Sequence, residues 1–84
     1  MPRVEFGIID WDPHNIAYAT RCGITIEEIE YVVRSTKDWR VNKKSCSGDV
    51  ITTGRTEQGR RITVIAVWNP QTHTIRPINA WEAK

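Results

Sequence analysis

Apolar residues in the first part of the chain alternate at strand spacing and later recur at helical spacing. Val4, Phe6 and Ile8 alternate with polar or small residues, which predicts a first strand over residues 3–9. Asp12 before Pro13 marks the start of a helix, because aspartate is a good N-cap and proline suits the first helical position.

Both predicted helices carry capping signals. Trp11 and Ile16 occupy the positions of a hydrophobic staple on the first helix. Gly23 is predicted to end that helix, because glycine adopts a left-handed backbone without strain. Thr25 and Glu28 form a capping box for a second helix, which we expect to end near Arg34 or Ser35. Its predicted buried positions, with Ile24 and Ile29 as a staple, are Ile26, Ile29, Val32 and Val33.

After Thr36 the apolar positions change to the spacing of strands. Strands are predicted at 39–41, 49–53, 61–68 and 74–80, with turns at 57–59 and 69–72. The strand at 61–68 is apolar on both faces, which is typical of a central strand. Gly54 is a candidate β-bulge. Pro77 predicts either an edge strand or a bulge, because proline cannot donate to a β-ladder.

This order of elements predicts an α+β fold in one domain, residues 1–84. Two N-terminal helices are expected to pack on one face of a small antiparallel sheet, in the order β-α-α-β-β-β with room for one extra short strand. A chain of 84 residues supports only a thin core. The longest apolar run is too short to span a membrane, and no signal-peptide pattern follows Met1, so we expect a cytoplasmic protein.

The two cysteines point to no cofactor. Cys22 and Cys46 are expected to be reduced thiols in the cytoplasm. A zinc site built from them with His14 and His73 is conceivable, but the close ligand pairs of structural zinc sites are missing. We therefore predict neither a metal nor a cofactor.

The net charge of +2 conceals a polarity along the chain. Residues 1–33 hold two basic and six acidic residues, a net −4, whereas residues 34–84 hold ten basic and four acidic residues, a net +6. The basic residues thus fall on the predicted sheet and its loops. Guanidinium groups on a sheet suit the binding of a phosphodiester backbone. The plainer alternative is that these basic residues are solvated charges at the edges of the sheet, where they discourage aggregation.

Candidate RNA-binding residues follow from this polarity. Antiparallel pairing should bring the arginines around the first turn together, with Arg76 on a neighbouring strand. Exposed Trp39 or Trp81 would add base stacking. The candidates for RNA contact are Arg40, Lys43, Lys44, Arg60, Arg61 and Trp81.

Catalytic candidates are few and belong to metal-free acid–base chemistry. Glu57, close in sequence to Arg55, is a candidate general base, and His14 or His73 a candidate acid. RNA cleavage needs a base for the 2′-OH proton, a cation for the charge on phosphorus and an acid for the leaving oxygen. The plainer alternative makes Glu57 a turn residue and places the histidines at a helix start and a turn exit.

Four motifs in order carry a family resemblance. They are Trp11-Asp12-Pro13 with Asn15, then residues 21–28 between the helices, then residues 54–61 before the apolar strand, and finally residues 75–80. In this order and spacing the chain resembles BrnT-type toxins of bacterial toxin–antitoxin pairs, over residues 8–83. Trp81 stands where many family members have a basic residue, and Cys22 where a basic residue or histidine is usual.

The resemblance implies a RelE-like fold and an endoribonuclease that arrests growth. It also implies a DNA-binding antitoxin of the BrnA type as partner, assembled with the toxin as paired dimers. Arg55, Glu57 and Arg76 match family motif positions and become the candidates for phosphate binding and proton transfer. Two further hypotheses remain, a RelE-like module that binds RNA or protein without cleavage, and an interaction protein whose basic residues have no specific ligand.

Overall fold

The computed structural model describes residues 3–42 and 49–83, which form the predicted α+β fold. Among these residues, neither helix is long and apolar enough to cross a membrane. The elements are β1 (Ile8–Ile9), α1 (Pro13–Ala19), α2 (Ile26–Ser35), β2 (Arg40–Val41), β3 (Val50–Arg55), β4 (Arg61–Asn69) and β5 (Thr74–Glu82).

The five strands form one mixed sheet in the order β1-β5-β4-β3-β2. β4 occupies the centre, as its apolar faces predict. β1 runs parallel to β5, so the prediction of an antiparallel sheet is wrong at this edge. The first strand predicted over residues 3–9 is confirmed only over Ile8–Ile9. The stretch from Gly7 to Asp10 hydrogen-bonds to His73 and β5, while Val4 and Phe6 pack against the core outside the ladder.

The N-cap of α1 is formed by two side chains. Asp12 accepts hydrogen bonds from the main-chain N–H groups of His14 and Asn15, and the Asn15 side chain accepts one in return from the Asp12 N–H at 2.7 Å. The helix ends at Ala19, so the prediction that Gly23 ends it is wrong by one turn. Gly23, with φ of 84°, instead closes the turn that follows the helix.

The second helix confirms its predicted capping box and its end. Thr25 Oγ1 accepts from the Glu28 N–H at 3.1 Å, and Glu28 accepts from the Thr25 N–H at 3.0 Å. The helix buries Ile29, Val32 and Val33 against the sheet and leaves Ile26 only half-buried. This face of α2 supplies much of the thin core.

Gly54 lies directly under α2 and forms no bulge, which corrects that prediction. A Cβ at this position would lie 3.1 Å from Cγ1 of Val32. The glycine therefore allows helix and strand to approach closely. The irregularity in the sheet is on β5, where Asn79 pairs with Ile65 but Pro77 pairs with Ala66, leaving one extra residue between them. Pro77 thus confirms the bulge alternative on an interior strand.

Candidate nucleic-acid interface

One face of the sheet is turned away from the helices, and we call it the open face. The opposite face carries Gly54 beneath Val32, and strand alternation with the observed register assigns the remaining positions. The open face comprises Arg40, Ile51, Thr53, Arg55, Arg61, Thr63, Ile65, Val67, Arg76, Asn79 and Trp81.

Two of the three predicted arginines, Arg55 and Arg61, occupy one end of the open face, whereas Arg40 lies about 13 Å away along the strands, four residues at about 3.3 Å each. Arg55 and Arg61 pair directly across β3 and β4, and Arg40 faces Ile51 on the neighbouring strand. Arg55 Nη1 donates to the carbonyl of Gly59 at 3.0 Å, which holds this side chain at the turn. Like charges directly opposite each other are unfavourable, so an anion between Arg55 and Arg61 would be stabilised.

A shallow cavity of about 300 Å³ opens beside these arginines, between β2 and β4. It is lined by Asp38, Arg40, Thr53 and Arg61. Extending the β2–β3 register by two residues places Asp38 opposite Thr53, in a row that continues across the sheet through Thr63 to Trp81. The hydroxyls of Thr53 and Thr63 lie 2.9 Å apart across the strands. The half-buried Trp81 therefore ends a row that begins with a carboxylate.

Arg76 does not join this cluster. It pairs with Val67, six residues along β4 from Arg61, which is about 20 Å at about 3.3 Å per residue. Its guanidinium lies 2.7 Å from Asp12 and 3.4 Å from Asp10. The main-chain N–H of Asn15, together with Arg76, lowers the pKa of Asp12, and Asp12 in turn raises the pKa of Arg76. Arg76 therefore joins the last strand to the start of α1.

Arg60 is likewise tied to carboxylates. Its Nε lies 2.7 Å from Glu82, and its Nη1 lies 3.5 Å from Glu28 on α2. The hydrogen bond to Glu82 is the main reason that the pKa of Arg60 is raised. The pKa of Glu28 is lowered, first by the main-chain N–H of Thr25 and also by Arg60. Arg60 thus lies between the helix and the sheet, with its charge largely compensated.

Glu57 lies on the side of the molecule that carries α2. It lines a cavity of about 110 Å³ together with Glu27, Glu28 and Tyr31. Three carboxylates around one small cavity repel a phosphodiester. The structure therefore does not bring the predicted set Arg55, Glu57 and Arg76 together around one phosphate.

The other predicted side chains are placed as follows. Trp39 is 2% exposed, so the prediction that it is available for base stacking is wrong. The segment before β2 folds this indole into the core. His14 is exposed on α1, and His73 lies in the turn before β5. Lys43, Lys44 and Cys46 lie outside the described residues. Within residues 3–42 and 49–83, no three His, Cys, Asp or Glu side chains converge to hold a metal ion.

The residue missed by the sequence reasoning is Asp38. Its signal was present, because residues 38–41 alternate like a strand and place Asp38 on the same face as Arg40. Comparisons with protein-family models, with curated proteins and with solved structures found no match for this chain. The open face, where Asp38, Arg40 and Arg61 line one cavity and Arg55 and Trp81 lie near Arg61, is its best candidate site.

Proposed function

We propose that this chain is an RNA-directed toxin of the BrnT type with a RelE-like fold, and that it binds RNA on the open face. The observation that carries the proposal is the pairing of Arg55 with Arg61 at one end of that face, near Trp81, together with the cavity that Arg61 lines with Arg40. Arginines bind phosphates with paired donors, and an indole can stack on a base. In this proposal the toxin acts in the cytoplasm and without a cofactor.

The distribution of ion pairs supports the location. Arg60 and Arg76 form ion pairs with carboxylates and lie away from the pair that Arg55 and Arg61 form across β3 and β4. Two basic residues therefore lie side by side at that end of the open face. Counterion release on phosphate binding favours the same end, and it makes affinity fall steeply with salt.

The proposed reaction is metal-independent cleavage of RNA, which would arrest growth. The proposed partner is a DNA-binding antitoxin of the BrnA type, whose acidic segment covers the open face within paired dimers of the two proteins. An acidic segment is a reasonable competitor for RNA here because it meets the same guanidiniums.

A second candidate function is RNA binding without cleavage. The specific observation in its favour is that Glu57 shares its cavity with Glu27 and Glu28, while Arg76 lies about 20 Å along the sheet from Arg61. A base, a phosphate-binding cation and an acid must act on one phosphate. The three residues matched by family position are too dispersed to do so.

Binding is tested by measuring affinity for single-stranded RNA as a function of salt. Arg40→Ala and Arg61→Ala should each reduce the slope of log affinity against log salt by about 0.7. Arg34→Ala is the matched control, since it removes the same charge from the exposed surface of α2. Equal slopes for all variants and the parent would contradict binding on the open face.

Cleavage is tested separately. The chain is expressed in bacteria without an antitoxin, and the purified protein is incubated with RNA in EDTA. Arrested growth and cleaved RNA support the nuclease, whereas normal growth with intact RNA leaves the binding module. If RNA is cleaved, Glu57→Gln decides the base assignment, because loss of a general base costs about 100-fold or more in rate.

A further inference from the structure

We propose that the cavity lined by Asp38, Arg40, Thr53 and Arg61 is a recognition site for one guanine base of single-stranded RNA. This inference rests on the proposed function and adds a base preference to it. The cavity, about 300 Å³, lies at the lower end of the range for small-molecule sites, which suits a single base.

The position of Asp38 is fixed by its main chain. Its N–H donates to Thr36 Oγ1 at 3.3 Å, and its carbonyl accepts from Thr52 Oγ1, also at 3.3 Å. The hydroxyls of Thr36 and Thr52 lie 2.8 Å apart, and Thr52 is fully buried. The next residue, Trp39, is anchored in the core. These contacts hold Asp38 at the edge of the open face.

A carboxylate at this place needs an explanation. Within residues 3–42 and 49–83, no cation forms an ion pair with Asp38, although two arginines line the same cavity. On a surface that only gathered phosphates, a negative charge beside Arg40 would weaken binding. The same carboxylate would favour binding of a base, because it can accept hydrogen bonds from the N–H groups of that base.

Guanine has the matching pattern of donors and acceptors. Its N1–H and N2 amino group are adjacent donors that one carboxylate can accept together, and its O6 and N7 are acceptors for a guanidinium. Adenine, cytosine and uracil present no two adjacent donors on that edge. The Asp38 carboxylate is the candidate acceptor and the Arg40 guanidinium the candidate donor.

Trp81, at the other end of this row, offers a stacking surface for the neighbouring nucleotide. The half-buried Thr53 and the buried Thr63 lie between Asp38 and Trp81 and carry small side chains. A base that follows the guanine can stack on the Trp81 indole, and stacking tolerates any base. The site thus recognises one base by hydrogen bonds and binds the next base by stacking, whatever the identity of that second base.

The test is fluorescence anisotropy at low salt with labelled oligouridine that contains one central guanosine, adenosine or inosine. The parent protein should bind the guanosine RNA at least about tenfold more tightly than the adenosine RNA. Inosine lacks the 2-amino group, so its RNA should bind less tightly than the guanosine RNA. Equal binding of the guanosine and inosine RNAs would overturn the assignment to the Asp38 carboxylate.

Asp38→Asn should bring the guanosine-to-adenosine ratio close to one and strengthen binding of the adenosine RNA, because a negative charge is removed while the main-chain contacts remain. Glu27→Gln removes a carboxylate from α2 and should keep the parent's ratio. Retained preference in Asp38→Asn, or no preference in the parent with salt-dependent binding intact, would refute the guanine site alone. Absence of any RNA binding at low salt would refute the proposed function itself.

Discussion

Asn15 donates a hydrogen bond from its side-chain amide to the main-chain carbonyl of Pro77, at 2.9 Å and in the buried interior. The same amide donates to the carbonyl of Asp10, while its oxygen accepts from the Asp12 N–H. Asn15 is 3% exposed and so caps α1 and fastens it to the bulged strand at once. One side chain thereby satisfies three main-chain groups, two just before α1 and one on β5.

Asn15→Asp should destabilise the protein by about 3 kcal/mol at neutral pH, because a carboxylate would face two carbonyls and leave both without a donor. Part of that stability should return as the pH falls, since the introduced carboxyl is protonated more readily in the folded state. Urea denaturation at pH 7 and pH 5 measures both effects. His14→Gln, on the exposed surface of the same helix, is the control, and an equal loss there would contradict the role of Asn15.

Asp12 and Arg76 should make stability depend on pH. The pKa of Asp12 is lowered in the folded state, first by the Asn15 N–H and also by Arg76, so its contribution is present above about pH 4 and is lost as the pH falls through the lowered pKa. Asparagine also caps helices, so Asp12→Asn mainly removes the charge. The difference in melting temperature between the parent and Asp12→Asn should therefore be largest near pH 7 and shrink below about pH 4.

The control for this measurement is Glu5→Gln, which removes a carboxylate from the exposed pair with Arg3. Exposed pairs contribute little, so this variant should melt close to the parent at both pH values. A pH-independent difference between the parent and Asp12→Asn would count against the link to Arg76.

Gly54→Ala should destabilise the protein by about 1–2 kcal/mol, although alanine is ordinarily the better residue in a strand. The new methyl group would lie 3.1 Å from Cγ1 of the fully buried Val32, which has little room to move. Combining it with Val32→Ala should cost less than the sum of the two single changes. Additive free energies of unfolding in the double-mutant cycle would show that the close approach is not the cause.

Thr52→Val should lower stability by about 1 kcal/mol and also weaken the guanine preference. The buried hydroxyl of Thr52 contacts Thr36 Oγ1 and donates to the carbonyl of Asp38, so its loss frees the segment that presents the carboxylate. The matched control is Thr20→Val, because its hydroxyl also donates to a main-chain carbonyl, that of Ile16 in α1, and does not line the cavity. Anisotropy should show no loss of preference for Thr20→Val, and an equal loss in both variants would argue against positioning by Thr52.

Local signals predicted the helices well, because capping depends on residues within one turn. Asp12, Thr25 and Glu28 act as their spacing predicts. The parallel pairing of β1 with β5 joins residues more than sixty positions apart, which no local pattern contains. The burial of Trp39 was not predictable from local sequence either, because it depends on tertiary packing in the core.

The candidate site was predicted in part for a similar reason. Hairpin pairing correctly grouped Arg55 with Arg61, since the turn between them is short. The carboxylates that engage Arg60 and Arg76 come from α2, the end of β5 and the start of α1. Charge counts along the sequence therefore described the polarity of the chain but not that Arg60 and Arg76 form ion pairs with carboxylates.

The extra residue in β5 determines which face of the sheet each of the last side chains of this strand occupies. Strict alternation from Pro77 would direct Trp81 towards the helices and Ala80 towards solvent. With Ile78 inserted, Ala80 pairs with Val64 in the core and Trp81 pairs with Thr63 on the outside. The same nine residues in a strand without the bulge would exchange these two roles, filling the interior with an indole and leaving the outer surface with a methyl group.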